Sequence, residues 1–138
     1  MNMMRNICAL VAFLSVSAAQ AMVIPGQEWT AYFCKDPREI IDAGVQVRLV
    51  EVSGGGYRAD LNETTIAGLK SLGSPVVQVT SPHDSDAPTT YTADNFKLEI
   101  FTSQGLSNDG FYKAYLTSTL GGFKISQDMK CERFFHIF

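Results

Sequence analysis

The sequence is poor in the residues and motifs that most often carry out chemistry. It has two histidines and three cysteines, and it lacks the C-x-x-C, G-x-S-x-G and G-x-x-x-x-G-K-[ST] patterns of redox, hydrolase and phosphate-binding sites. Its charged residues, 11 basic and 14 acidic, are spread singly along the chain. Because nucleic-acid binding depends on clustered lysine and arginine, this distribution argues against a nucleic-acid partner.

Long apolar runs are also scarce, and the main one lies at the N-terminus. Arg5 precedes an apolar segment at 7–16, and the small-residue sequence A-Q-A at 19–21 suits signal peptidase. The run is shorter than the roughly 20 residues that span a bilayer, and no later segment is apolar enough to form a transmembrane helix. We therefore predict a cleavable signal peptide over 1–21 and a single domain over 22–138, in the periplasm or outside the cell.

Removal of that signal peptide leaves an even number of cysteines. Cys8 lies inside the apolar leader, so the mature chain keeps Cys34 and Cys131. Exported chains meet an environment in which thiols oxidise, and two cysteines allow one pairing. We predict a disulfide between Cys34 and Cys131 that ties the two ends of the domain together, with a structural and not a redox role.

Apolar and polar residues alternate along much of the mature chain, which is the pattern of half-buried strands. The alternation is clearest at 45–52, where a glycine-rich turn and a second alternating run predict a hairpin. The predicted strands are 28–34, 45–52, 57–61, 76–80, 96–101, 111–120, 123–126 and 131–138. About seven to eight strands without a βαβ rhythm predict an all-β fold, either an antiparallel β-sandwich or a small β-barrel.

Two segments depart from this pattern. Asp36-Pro37 offers a helix cap followed by a proline suited to a first helical position, so we predict at most one short helix near 37–43. The segment 62–73 has apolar residues at helical spacing, but its threonines and glycines oppose a stable helix. A poor helix and a loop both stay open for that segment.

The sharpest polar cluster is the H-D-S-D sequence at 83–86, in a proline-bounded loop. His83, Asp84 and Asp86 supply one imidazole and two carboxylates, which are ligands that a divalent cation accepts. These three residues form a candidate metal site, with a solvated surface loop as the alternative.

His136 lies in an apolar run and is interpreted as structural. No motif indicates an organic cofactor.

The aromatic residues offer a second candidate surface. Trp29 and the five tyrosines fall mostly in alternating runs, so we expect them to fill a β core, with an aromatic platform for a sugar or a protein as the alternative. Tyr32-Phe33-Cys34 is similar to the aromatic-x-Cys strand of small exported lysozyme inhibitors. The serine-and-glycine inhibitory loop of that group has no match downstream, so the sequence is assigned to no family.

These observations favour a binding function. General-base candidates are few, while a rigid β scaffold leaves its loops free to carry a binding site. We predict a non-catalytic binding or inhibitor-type module whose partner is a protein or a carbohydrate. Two alternatives stay open: a small exported hydrolase that uses a carboxylate pair, and an envelope-associated structural protein.

Overall fold

A computed structural model describes residues 27–38, 44–82 and 86–135 of the chain. Within these ranges the chain forms β-strands and two short 3-10 turns, at Thr102–Gln104 and Leu120–Gly122. The strands are β1 Glu28–Lys35, β2 Val45–Val52, β3 Gly56–Thr65, β4 Gly68–Gly73, β5 Val76–Thr80, β6 Thr89–Ala93, β7 Phe96–Ile100, β8 Tyr112–Ser118 and β9 Ile125–Arg133.

Eight of these strands close into an antiparallel barrel. The strand order around the barrel is β2-β1-β9-β8-β7-β6-β5-β3, and the β2–β3 hairpin completes the ring. β4 is an extra strand that pairs with the far half of β3. The predicted all-β fold is confirmed, and of the two architectures considered the chain adopts the small barrel. Closure leaves the barrel strands without an unpaired edge.

The core lies inside the barrel because period-two alternation turns one face of each strand inward. In β7 the inward residues are Phe96, Leu98 and Ile100, all buried, and Leu98 lies opposite the buried Leu116 of β8. An eight-stranded barrel has an interior just wide enough for side chains to fill. The same rule explains the β2–β3 hairpin, where Val47 and Leu49 face inward.

The two cysteines of the mature chain face each other inside this core. Cys34 in β1 is the direct register partner of Cys131 in β9, and a disulfide joins them. Both residues are fully buried. Two positions further toward one end of the barrel, Tyr32 is the register partner of Arg133. The pairing agrees with the prediction, although Cys131 lies within β9 and does not begin a separate last strand.

The undecided segment 62–73 is neither a helix nor a loop. It completes β3 and forms β4, which pair antiparallel across a two-residue turn at 66–67. Ile66 in that turn is 89% exposed, so the helical spacing of the apolar residues did not mark a buried stripe. β-branched threonines at the end of β3 fit a strand that continues its pairing with β2 beyond Leu61.

The C-terminal region also differs from the prediction. Two strands were expected, at 123–126 and 131–138, but one continuous strand, β9 Ile125–Arg133, covers both segments in part and pairs with β8 on one side and β1 on the other. Residues 136–138 are not described. Phe135, expected to pack in a buried strand, is 73% exposed. β6, which the sequence analysis missed, is a threonine-rich strand with one inward aromatic residue, Tyr91.

Several predictions fall outside the described residues. Pro37 and Arg38 form a turn, and the rest of the predicted helix, at 39–43, is not described. The predicted signal peptide over 1–21 and His136 are not described either. None of the helical segments in the described ranges has the length and hydropathy needed to cross a bilayer.

Asp36 follows β1 and is a buried carboxylate with a full set of donors. It accepts hydrogen bonds from the backbone N–H of Arg38 at 2.9 Å, from the Arg38 guanidinium at 2.6 and 2.9 Å, and from Gln127 Nε2 at 3.3 Å. The Arg38 guanidinium is the main cause that lowers the pKa of Asp36 from 3.8 to about 2, although burial opposes this shift. Asp36 thereby links the end of β1 to β9.

We expect Asp36→Asn to lower the free energy of unfolding by about 2 kcal/mol near neutral pH, which is the size of the pKa shift expressed as energy. Because the pKa is lower in the folded chain than in the unfolded chain, this stabilisation is present above pH 3.8 and is lost as the pH falls through about 2. Urea unfolding of both proteins across this range measures the difference. Asp128→Asn, at an exposed position of β9, is the control, and an equal loss in that variant would contradict the assignment.

Candidate functional site

One end of the barrel contains a small cavity of about 210 Å³. This end carries the β2–β3 turn and the C-terminal end of β9, and we call the cavity the mouth cavity. Its polar lining residues come from five different strands and are Tyr32, Glu51, Tyr57, Tyr91 and Arg133. Phe134 and Phe135, which follow β9, close one side of it. Residues distant in the sequence therefore meet here only because the barrel closes.

Two of these tyrosines are more than nine-tenths buried, since Tyr91 is 5% exposed and Tyr32 is 7% exposed. Within the described ranges, no hydrogen bond joins either hydroxyl group to another protein group. In the same ranges, every side-chain oxygen or nitrogen that is sealed from solvent has a hydrogen-bond partner. The two hydroxyl groups therefore reach the solvent-accessible space of the mouth cavity.

The tyrosines of the mouth cavity are neutral hydrogen-bonding groups. Burial raises the pKa of Tyr32, Tyr57 and Tyr91 above the ordinary value of 10, and it does so most strongly for Tyr91. The Tyr57 and Tyr91 rings pack edge to face, with their centres 5.6 Å apart. Each hydroxyl can therefore donate one hydrogen bond and accept others at any physiological pH.

Charged groups lie at the edge of this tyrosine cluster. Arg133 is exposed to solvent, and its guanidinium carbon lies 5.9 Å from the ring centre of Tyr32 and 4.9 Å from that of Phe135, so it contacts two aromatic rings. Among the described residues, no carboxylate forms an ion pair with Arg133. Glu51 lines the same cavity from β2. The cavity thus combines hydroxyl donors with one cationic and one anionic side chain.

The disulfide braces this arrangement. Cys34 and Cys131 lie two positions along β1 and β9 from the register pair Tyr32 and Arg133, and residues two apart in a strand share a face. A covalent bond close to the mouth cavity therefore fixes the spacing of these two strands.

A second, shallower depression lies outside the barrel, on the other side of Phe134 and Phe135. We call it the outer groove; its volume is about 550 Å³, and its remaining lining residues are Glu28, Trp29, Thr30, Phe33 and Arg48. The backbone N–H of Phe134 donates to the carbonyl of Ala31 at 2.9 Å, which extends the β1–β9 pairing by one residue. These two phenylalanines therefore form the wall between the mouth cavity and the outer groove.

The predicted metal site stays untested. His83 and Asp84 lie outside the described residues, while Asp86 is exposed in the β5–β6 connection. That connection is at the same end of the barrel as the mouth cavity, as the strand directions require. In the described ranges, no group of three or more potential ligands converges on one point.

Two carboxylates do converge on the outer face, but both are ionised. Arg58 in β3 donates to Glu28 Oε2 at 3.0 Å and to Asp60 at 2.8 and 3.0 Å. The hydrogen bond from Arg58 lowers the pKa of Glu28, and for Asp60 the donors outweigh a burial effect of opposite sign. A hydrolase that uses two acids needs their pKa values separated, with one group protonated. This pair is instead a structural ion-pair network across β1 and β3.

Sequence reasoning found part of the mouth cavity. It named the tyrosines and weighed a core role against a binding role; the structure places Tyr32 and Tyr91 in the core and in the lining of the cavity. It missed Glu51 and Arg133. For Arg133 the available signal was the cysteine pair, since residues two positions from each cysteine share its face and form the next pair on that face.

The comparisons with known proteins add no assignment to this geometry. No family model matches the chain, and no curated protein is significantly similar to it.

Proposed function

We propose that this protein is a non-catalytic binding module that holds a polar ligand in its mouth cavity. The observation that carries the proposal is Tyr91, a residue 5% exposed whose hydroxyl has no protein hydrogen-bond partner within the described ranges and faces the cavity. Since the hydroxyl reaches the solvent-accessible space of the cavity, water pairs with it in the free protein. A ligand that enters the cavity displaces that water and must supply the hydrogen bond in its place.

The chemistry of the lining defines what such a ligand must carry. An apolar molecule would cover the Tyr32 and Tyr91 hydroxyls without replacing their hydrogen bonds to water, which costs about 1 to 3 kcal/mol for each unpaired group. A molecule with several hydroxyl or carbonyl groups avoids that cost. The ligand is therefore polar, whether it is free or part of a larger partner.

We expect Tyr91→Phe to weaken ligand binding about tenfold while the barrel stays folded, because the change removes one hydroxyl from the cavity and keeps the ring. Ligand-observed NMR with a library of sugars, sugar acids, amino acids and nucleosides identifies the ligands of the unmodified protein, and calorimetry compares the variants. Tyr115→Phe, in β8 outside the mouth cavity, is the matched control.

The proposal fails if no member of the library binds, or if every ligand found binds Tyr91→Phe and the unmodified protein equally well. Thermal unfolding of both tyrosine variants separates a loss of contact from a loss of fold. A change in affinity with an unchanged unfolding temperature assigns the effect to the cavity.

We further propose that the protein acts in the periplasm or outside the cell. A buried disulfide persists in oxidising compartments and is rare where thiols are kept reduced. The leader-like composition of 1–21 points to the same place. The surroundings of an exported protein include polar polymers and small polar solutes, which suits a hydroxyl-lined cavity.

A second candidate function, assembly with other chains, has one observation in its favour. Among the described strands, β4 pairs with β3 alone, and both Leu69 in β4 and Ile66 in the turn before it are exposed. An unpaired edge with apolar side chains can add a strand from another chain. Lys70 lies in the middle of β4 and disfavours such addition. Sedimentation that depends on protein concentration would favour assembly over the binding of a small ligand.

A further inference from the structure

We infer that the mouth cavity takes a sugar acid, a single sugar ring that bears one carboxylate. This inference rests on the binding function proposed above and specifies its ligand. It depends on three independent properties of the cavity: its size, its hydroxyl groups and the position of Arg133.

The size of the cavity restricts the ligand to about one ring. Its volume of about 210 Å³ is below the range of about 300 to 1,000 Å³ that holds drug-sized molecules. The cavity opens at the end of the barrel, so its occupant can be a free monosaccharide or the terminal residue of a longer chain. The two sources share the same chemistry at the cavity.

The aromatic residues of the cavity match the two surfaces of a sugar ring. Tyr32, Tyr57 and Tyr91 present neutral hydroxyl groups that can donate to and accept from ring hydroxyls. The Phe134 and Phe135 rings, which are 43% and 73% exposed and line the same cavity, provide apolar surface for the C–H face of the sugar. Amino acids and fatty acids have too few hydroxyl groups to pair with three tyrosines.

Arg133 selects a carboxylate. Its guanidinium contacts the rings of Tyr32 and Phe135, and among the described residues it has no carboxylate partner. A planar guanidinium binds a carboxylate through two parallel hydrogen bonds. Glu51 lines the same cavity and repels a second negative charge, so a singly charged carboxylate fits better than a doubly charged phosphate.

The test measures affinities of the oxidised protein, expressed as the full chain, by calorimetry. The probes are D-glucuronate, D-galacturonate, D-glucose, glucose 6-phosphate and digalacturonate. We expect at least one uronate to bind about tenfold or more tightly than glucose, because a hydrogen bond to a charged group contributes more than one between neutral groups. Glucose 6-phosphate is expected to bind less tightly than that uronate.

Variants locate the preference at Arg133. Arg133→Gln is expected to reduce the ratio of uronate to glucose affinity to about one while glucose binding persists, which shows that the cavity is still folded. Arg133→Lys keeps the charge but loses the planar fork, so an intermediate ratio is expected. Arg48→Gln, at an arginine on the outer face, is the matched control and leaves the ratio unchanged.

The outcomes separate this inference from the function on which it rests. If other library members bind through Tyr91 but no uronate does, or if glucose binds as tightly as the uronates, the sugar-acid inference is wrong and the binding function stands. If nothing binds the cavity, both are wrong. Digalacturonate binding at least as tightly as galacturonate supports a terminal residue of a polymer, and weaker binding supports a free sugar acid.

Discussion

Replacing Cys34 and Cys131 together by alanine is expected to lower the free energy of unfolding by about 4 to 5 kcal/mol. The two residues are separated by 97 positions, and in the chain-entropy model a cross-link that closes a loop of that length restricts the unfolded chain by about this amount. The loss is a large share of the roughly 5 to 15 kcal/mol that stabilises a typical domain. No other single bond in the described barrel restricts so much of the unfolded chain.

Urea unfolding of the oxidised protein and of the double alanine variant measures the difference. The intact mass of the purified protein shows beforehand that the disulfide is formed and whether the chain begins at residue 22. Cys8→Ala is the control, because that cysteine lies in the predicted leader and its loss leaves the barrel unchanged. A difference below about 1 kcal/mol would contradict this prediction. It would mean that residual structure restricts the unfolded chain even without the disulfide.

The disulfide also affects the mouth cavity. Because Tyr32 and Arg133 form a register pair two positions from it, removal of the bond allows β1 and β9 to separate where the cavity is lined. A double alanine variant that is still folded is therefore expected to bind the ligand of the unmodified protein more weakly.

The second large effect is expected from the core. Leu116 in β8 is fully buried opposite Leu98 in β7, and Leu116→Ala is expected to lower the free energy of unfolding by about 3 kcal/mol. The loss combines the transfer free energy of the removed methyl groups with the cost of the space left behind. A closed barrel has little freedom to collapse around that space, because each strand is paired on both sides.

Urea unfolding also measures this effect, with Leu106→Ala as the matched control. Leu106 lies in the β7–β8 connection and is 58% exposed, so its truncation is expected to change stability by less than about 0.5 kcal/mol. Equal losses in the two leucine variants would contradict the assignment of the core to the barrel interior.

The strands of this protein were largely predictable because their cause is local. Alternation at 45–52 and 96–101 reflects one buried face and one exposed face, and that pattern survives in a single sequence. The prediction was wrong at 62–73, where exposed apolar residues imitated a helical stripe. It missed β6 because threonines occupy both faces around Tyr91. In both places the pairing with neighbouring strands decides the conformation. A local sequence pattern does not show which strands will pair.

The mouth cavity was predictable only in part. The tyrosines stood out as alternating aromatics, but nothing local distinguished Arg133 and Glu51 from other charged residues of a strand. Their roles depend on register, since only the alignment of β9 with β1 brings Arg133 to Tyr32. Register in turn depends on which faces are buried across the whole ring.

The sequence by itself therefore determined the all-β class, the strand pattern and the cysteine pair, because alternation and residue chemistry act over a few neighbouring positions. The tertiary structure alone decided that the sheet closes into a barrel, that β4 lies outside the ring, and that three tyrosines, Glu51 and Arg133 line one cavity. The physical reason is that closure and register are properties of all eight barrel strands together, and each strand's side-chain neighbours follow from the pairing of the others.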